Sequence, residues 1–339
     1  MTSAGNSVPD RDAPTSGHDR GLMRRVGATS VSTGFLIASL LTFPGAAPWM
    51  VGGWMLAHTW LAIRGKPGWV PLVVCLAILI AKRVYWTPSL AVLAVFMLVA
   101  GGISRLPAPI GARDFGALVR RAGTILLWGL WIWYAWEWHA DSHCSRHPTL
   151  DKTRPVACLG DSLTSGVPPH GGYPDDLAER LAVPVLNLGQ AGITAEQSLS
   201  LLPGLLRAGP QAVVVELGGH DYLRGRSRAE TRAVLDRTIN ILREADVEVV
   251  LMEIPRGFVM DPYASLEREL ARRHDLELIA DSAIRQLVLF SPFAPPGMWM
   301  TDGHLSDDGL HPNARGNEHL AECVEGALCR MYGLAVLRP

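Results

Sequence analysis

Two stretches of the chain hold residue types that together perform nucleophilic chemistry. The first is Gly160, Asp161, Ser162, Leu163 and Thr164, which follows a short apolar run that reads as a β-strand. A serine just past a strand and at the start of a helix has its hydroxyl exposed at the sheet edge. The helix N-terminus behind it favours developing negative charge. The second is Asp308, Gly309, Leu310, His311, Pro312 and Asn313. An Asp and a His separated by two residues can turn toward each other, so that the carboxylate fixes the imidazole tautomer while the other ring nitrogen faces Ser162. That combination suits acyl transfer through a covalent acyl-enzyme.

Other readings of these residues compete. A lone Gly-Asp-Ser is usually a turn, Gly218 and Gly219 permit a tight turn, and Asp161 and Asp221 suit loop hydrogen bonds. Asp307 competes with Asp308, and Asp302 with His304 forms a rival pair. His304, His311 and His319 lack a recognised zinc-ligand spacing, and no cofactor is implied.

The elements that must position these groups come from the second half of the chain. Short β-rich runs alternate with helical ones from Arg154 onward, the pattern of a parallel α/β sheet. Strands are predicted at 156–159, 183–188, 212–217, 247–254 and 276–279, and helices at 174–181, 195–207, 229–244, 262–274 and 315–331. Single crossovers make this a five-stranded, three-layer fold with functional groups at the carboxyl ends of the strands.

Four blocks in the right order, each at a predicted strand end, make residues 154 to about 328 resemble the SGNH (GDSL) hydrolase family, in its thioesterase, arylesterase and lysophospholipase branch. Gly160, Asp161 and Ser162 match the nucleophile block. Asn187, Leu188, Gly189, Gln190, Ala191 and Gly192 match the block carrying the oxyanion glycine. Leu217, Gly218, Gly219, His220 and Asp221 align with the third block, and Asp308 to Asn313 with the last. The resemblance implies a flavodoxin-like α/β fold and a triad of Ser162, Asp308 and His311. It also implies an oxyanion hole from the amides of Ser162 and Gly189 and a side-chain donor of the third block. The family spacing favours Asp308 and His311 and leaves Asp302, His304 and Asp307 as loop residues.

The third block departs from its family, which supplies Asn where this chain has His220. Nδ1 of His lies as many bonds from Cβ as the Asn amide nitrogen, so a neutral His220 with its proton on Nδ1 donates in nearly the same place. The expectation is a neutral His220 held in that tautomer by a partner on Nε2, because a second cation beside the imidazolium of His311 would be repelled.

The first half of the chain speaks of a different solvent. From Val26 to Ile63 there is no Asp, Glu, Lys or Arg. Pro44, Gly45 and Pro48 divide this run into two spans, and further spans are predicted at 69–81, 84–103 and 122–138. Trp128, Trp131, Trp133, Tyr134, Trp136 and Trp138 make the end of the last one an interfacial belt. The chain therefore divides into a disordered polar tail (1–25), an all-α transmembrane region of about five helices (26–140), a linker (141–153) and the hydrolase domain (154–334). Arg20, Arg24, Arg25, Arg64, Lys66, Arg105, Arg113, Arg120 and Arg121 fall on one side, which places the hydrolase domain outside the cytoplasm of a multi-pass membrane protein.

A formal net charge of -1 and the lack of a basic stripe exclude a nucleic-acid partner. Five cysteines give no disulfide framework. The partners expected are a membrane and a small-molecule or lipid ester. The expected activity is hydrolysis of a carboxylic ester or thioester, with residues 291–310, Phe258, Met260, Tyr263, Phe290 and Phe293 lining an apolar acyl pocket. The alternatives are acyl transfer to a glycan, and a binding or sensing module impaired through His220.

Overall fold

A computed structural model describes residues 47–66, 68–81, 87–103, 113–140, 143–254, 256, 261–280, 305–308 and 310–339. The polar tail, the first expected span and most of the expected acyl-pocket segment lie outside these residues, as do Phe258, Met260, Phe290, Phe293, Asp302 and His304.

Four helices come first: α1 (Ala47–Ile63), α2 (Trp69–Ala81), α3 (Pro88–Ile103) and α4 (Arg113–Ala140). Polar side chains link them at long range. The Trp128 indole N–H on α4 donates to Thr59 Oγ1 on α1 at 2.9 Å, and the Ser89 amide at the start of α3 donates to Glu137 Oε2 on α4 at 3.2 Å. Their outer faces carry large apolar side chains, with Ile63 77% and Ile125 73% exposed.

The structure does not support the sequence expectation of bilayer spans. Among the described residues no helix is long and apolar enough to cross a membrane. Helix α2 has 13 residues and α3 has 16, whereas a span needs about 20 at 1.5 Å rise each. The expected span at 122–138 is the later part of α4, whose first turns carry Arg113, Asp114, Arg120 and Arg121.

The second half is the expected sheet. Strands β1 (Val156–Gly160), β2 (Val185–Asn187), β3 (Ala212–Glu216), β4 (Glu248–Met252) and β5 (Glu277–Ile279) form one five-stranded sheet in the order β2-β1-β3-β4-β5, and every pairing is parallel. The strands are apolar on both sides because helices cover both faces. Side chains alternate accordingly. Cys158, Val214 and Val250 pack against Leu177, Leu320, Val324 and Leu328, while Leu159, Val213, Val215 and Leu251 pack against Leu235, Ile239, Leu242 and Leu270.

Between the strands lie α5 (Ser162–Ser165), α6 (Tyr173–Arg180), α7 (Ala195–Ser198), α8 (Leu202–Arg207), α9 (Gly219–Leu223), α10 (Arg228–Glu244), α11 (Leu266–His274) and α12 (Ala314–Tyr332). Capping boxes at Ser227 with Glu230 and at Thr194 with Gln197 start α10 and α7.

Two expected helices are shortened. The one expected at 195–207 breaks at Leu199–Leu201, a 3₁₀ turn, because Pro203 has no N–H to continue the ladder. The one expected at 262–274 starts at Leu266 because Asp261 Oδ1 accepts the Tyr263 amide at 2.7 Å and Ser265 is left-handed, with φ 59. The strand order reverses at β1, so the ends of β1 and β3 flank the switch point where open α/β sheets place their sites.

Candidate active site

Ser162 is the first residue of α5, two residues beyond the end of β1. The tight strand-to-helix turn is held from three sides. Asp161 caps α5 by accepting the Leu163 amide at 3.0 Å. From the end of the adjacent β3, Glu216 Oε2 accepts the Asp161 amide at 3.0 Å and the Thr164 hydroxyl at 2.9 Å. Gly160 lets that carboxyl approach, since a Cβ there would lie 2.1 Å from Thr164 Oγ1 and 2.5 Å from Glu216 Oε2.

Glu216 is fully buried. Burial first, and the neighbouring Asp161 carboxyl second, push its pKa well above the usual carboxylate range. Burial also raises Asp161, against the Leu163 amide and the charges of His220 and His311. Both imidazoles therefore lie within electrostatic reach of Asp161.

The loop before α12 brings in the remaining groups. His311 Nε2 lies 3.1 Å from Ser162 Oγ, and His311 Nδ1 lies 2.6 Å from Asp308 Oδ2. With Asp308 ionised, the proton sits on Nδ1 and Nε2 is left to accept from the serine hydroxyl. Asp308 Oδ1 accepts the Leu310 amide at 2.8 Å and the His311 amide at 2.7 Å. Burial works to raise the Asp308 carboxyl, but the hydrogen bonds from the His311 ring and these two amides outweigh it and hold it at about 2. Ser306 Oγ donates to the His311 carbonyl at 2.6 Å, and the Asn313 amide donates to Leu305 O at 3.0 Å, which close the loop. Asp307 turns away, accepting from Asn313 Nδ2 at 2.8 Å and standing 3.3 Å from His170 Nε2.

The expected oxyanion donors have unequal surroundings. Among the described residues the Ser162 amide has no hydrogen-bond acceptor, as befits the first turn of a helix. The Gly189 amide donates to Asn187 Oδ1 at 2.9 Å, in an Asx-type turn. Gly189 itself is pressed onto the nucleophile turn, since a Cβ on it would lie 2.2 Å from the Ser165 nitrogen. His220 sits in α9 with its ring toward the Gly192 turn. The Nε2 partner expected for it is not found among the described residues.

Three functional supports escaped the sequence reading. Glu216 is one, and its signal was a lone carboxylate closing an otherwise apolar strand. The others are Arg256 and Glu267, a buried ion pair behind the third block. Arg256 Nε donates to Gly218 O at 3.1 Å, from close behind the residue before α9. Gly218 has φ 110, and a Cβ on it would lie 2.6 Å from Arg256 Nη2. Burial raises the Glu267 carboxyl to about 7 against the pull of Arg256.

Asp221 caps α7, accepting the Ala195 amide at 2.8 Å. Tyr263, expected to line an acyl pocket, is instead buried. Its hydroxyl donates to Arg226 O and its ring packs edge-on to Tyr222 at 5.8 Å.

This fold and this site define a serine carboxylic ester hydrolase. Residues 158–319 match the model of the GDSL-like Lipase/Acylhydrolase family. The chain is 29% identical over 174 residues to "Thioesterase 1/protease 1/lysophospholipase L1" of Escherichia coli strain K12, covering 48% of this chain and 78% of that protein. It is 28% identical over 185 residues to "Arylesterase" of Vibrio mimicus, covering 51% of this chain and 86% of the other. The crystal structure of the lipase/acylhydrolase from Enterococcus faecalis aligns with a TM-score of 0.42 at 23% identity, over 55% of this chain and 98% of that one.

Proposed function

We propose that Ser162 is the nucleophile of this hydrolase, that His311 is its general base and acid, and that Asp308 orients and stabilises the imidazole. The observation that carries this reading is the His311 ring, with one nitrogen 3.1 Å from Ser162 Oγ and the other 2.6 Å from Asp308 Oδ2. As Ser162 Oγ attacks the carbonyl carbon, its proton passes to His311 Nε2, and the carbonyl oxygen takes the negative charge. His311 returns that proton to the departing alcohol or thiol as the bond to the acyl carbon breaks. Water then repeats the sequence on the acyl-enzyme, releasing the carboxylic acid. The anionic oxygen is met by the free Ser162 amide, by the Gly189 amide once Asn187 yields it, and by neutral His220.

Carboxylic esters and thioesters of apolar acyl groups are the proposed substrates, by analogy with relatives named as a thioesterase, a lysophospholipase and an arylesterase. A fluorophosphonate probe tests the chemistry on the full chain. Labelling that disappears in Ser162→Ala, together with the hydrolysis of a short-chain ester, is the expected result. Absence of label in the wild type would favour a binding module instead.

The helices α1–α4 attach the enzyme to a membrane, with the hydrolase domain on the extracytoplasmic side. Support comes from the outward apolar side chains on these helices and from the clustering of Lys and Arg on one side of the expected spans. Retention in the membrane fraction after alkaline carbonate extraction, with the hydrolase domain open to external protease, is the expected behaviour. Recovery in the carbonate supernatant would count against attachment by these helices.

A further inference from the structure

Away from the active site, α1, α3 and α4 and the turn that leads into α2 enclose a cavity of about 340 Å³. Its size falls in the range of small-molecule sites, about 300–1,000 Å³. Most of the wall is apolar, including Ala62, Phe96, Val99, Val119 and Leu126. The basic residues Lys66 and Arg120 also line it, and His58 stands beside them.

Among the described residues no Asp or Glu contributes to this lining. Among the described residues neither Lys66 nor Arg120 has a carboxylate partner, and the buried Nε of Arg120 makes no hydrogen bond. A guanidinium donor buried without an acceptor is unfavourable, and a carboxylate or phosphate relieves this with paired bonds. The basic end of the cavity is fixed in place. His58 Nδ1 lies 2.9 Å from Gly68 O, and only glycine fits at residue 68, since a Cβ there would stand 2.5 Å from that nitrogen. Phe96 lies one turn before Ala100 on α3 and Leu126 between one and two turns after Arg120 on α4, so the wall beyond the basic residues is apolar.

We propose that these helices hold a second ligand site, for an acyl chain ending in an anionic head group. The apolar wall takes the chain, and Lys66 and Arg120 take the anion. A free fatty acid and an anionic phospholipid share this chemistry.

The test uses full-length protein in non-ionic detergent, carrying Ser162→Ala so that no probe is turned over. The fluorescent fatty acid cis-parinarate is titrated beside its uncharged alcohol. The carboxylate is expected to bind at least about tenfold more tightly than the alcohol, a difference of about 1.4 kcal/mol. Lys66→Gln and Arg120→Gln are each expected to remove most of that preference, with Arg120→Lys retaining part of it. Gly123 lines the cavity and has open space at its Cβ position, so Gly123→Leu fills the site without disturbing the helix and is expected to weaken both probes.

In the Ser162-containing background the same substitutions should leave short-chain ester hydrolysis within about twofold, which separates this site from the catalytic one. Displacement of parinarate by phosphatidylglycerol but not phosphatidylcholine identifies a lipid head group as the anion, and displacement by palmitate alone identifies a free carboxylate. Equal binding of acid and alcohol, or binding unchanged in Gly123→Leu, overturns the proposal.

Discussion

Glu216 Oε2 accepts the Asp161 amide at 3.0 Å, so a buried carboxyl rooted in the central strand holds the turn that presents Ser162. The same oxygen takes the Thr164 hydroxyl at 2.9 Å. Glu216→Gln keeps an amide oxygen as acceptor for both and should change stability by at most about 1 kcal/mol. Glu216→Ala strands two buried donors at about 1–3 kcal/mol each, and should lower kcat as the nucleophile turn loosens. Urea unfolding and short-chain ester hydrolysis on both variants check this. An alanine variant with wild-type kcat would show that the turn holds itself.

In the proposed mechanism Asp308 orients the imidazole and takes no proton itself, so Asp308→Asn is expected to lower kcat by about 10⁴ while substrate binding persists. Its carboxyl is held at about 2 against an ordinary 3.8, so it is ionised throughout the working range of the enzyme. A carboxyl lowered by folding contributes stability above its unfolded pKa and loses it as pH falls through its folded one. The gap in unfolding midpoint between the wild type and Asp308→Asn should therefore be flat above about pH 4 and close as pH falls toward about 2. The gap will be small, because the side chain is half-exposed. A gap that opens only near neutral pH would assign the effect to another group.

His220 stands where the family offers Asn. As an oxyanion donor its removal in His220→Ala should lower kcat by about 10²–10³ with little change in KM. His220→Asn should recover most of that loss while altering the pH profile, because an amide does not titrate. Steady-state kinetics across pH on both variants decide the matter, and an alanine variant as active as the wild type removes His220 from the site.

Gly189 touches backbone, which cannot swing aside as a side chain does. A Cβ there would sit 2.2 Å from the Ser165 nitrogen and 2.6 Å from its Cα. Gly189→Ala should destabilise the domain by about 1–3 kcal/mol or more and displace the nucleophile turn. Thermal unfolding together with the rate of fluorophosphonate labelling would reveal both effects, and wild-type values for both would mean that the turn accommodates a methyl group.

The sequence by itself determined the parallel α/β class, the approximate ends of all its strands, and the residue types of the site in their order along the chain. These features are local. Strand and helix periodicity are written in neighbouring residues, and a serine at a strand end before a helix is recognisable without knowing what faces it.

What only the tertiary structure decided concerns residues far apart. Ser162 and His311 are 149 positions apart, and their meeting depends on β1 lying beside β3 and on the loop closed between Leu305 and Asn313. The orientation of Asp308 toward the imidazole, with Asp307 turned to Asn313, depends on that loop's own hydrogen bonds. Glu216 beneath Ser162 follows from parallel register, which sets Gly160 opposite Glu216. In the first half the helix at Trp69–Ala81 and the end of the next at Ile103 fall where the sequence places them, whereas the start of α4 at Arg113, ahead of the expected 122, does not. Hydropathy reports how apolar a run is, whereas the place where a helix stops is set by the turns and partners at its ends.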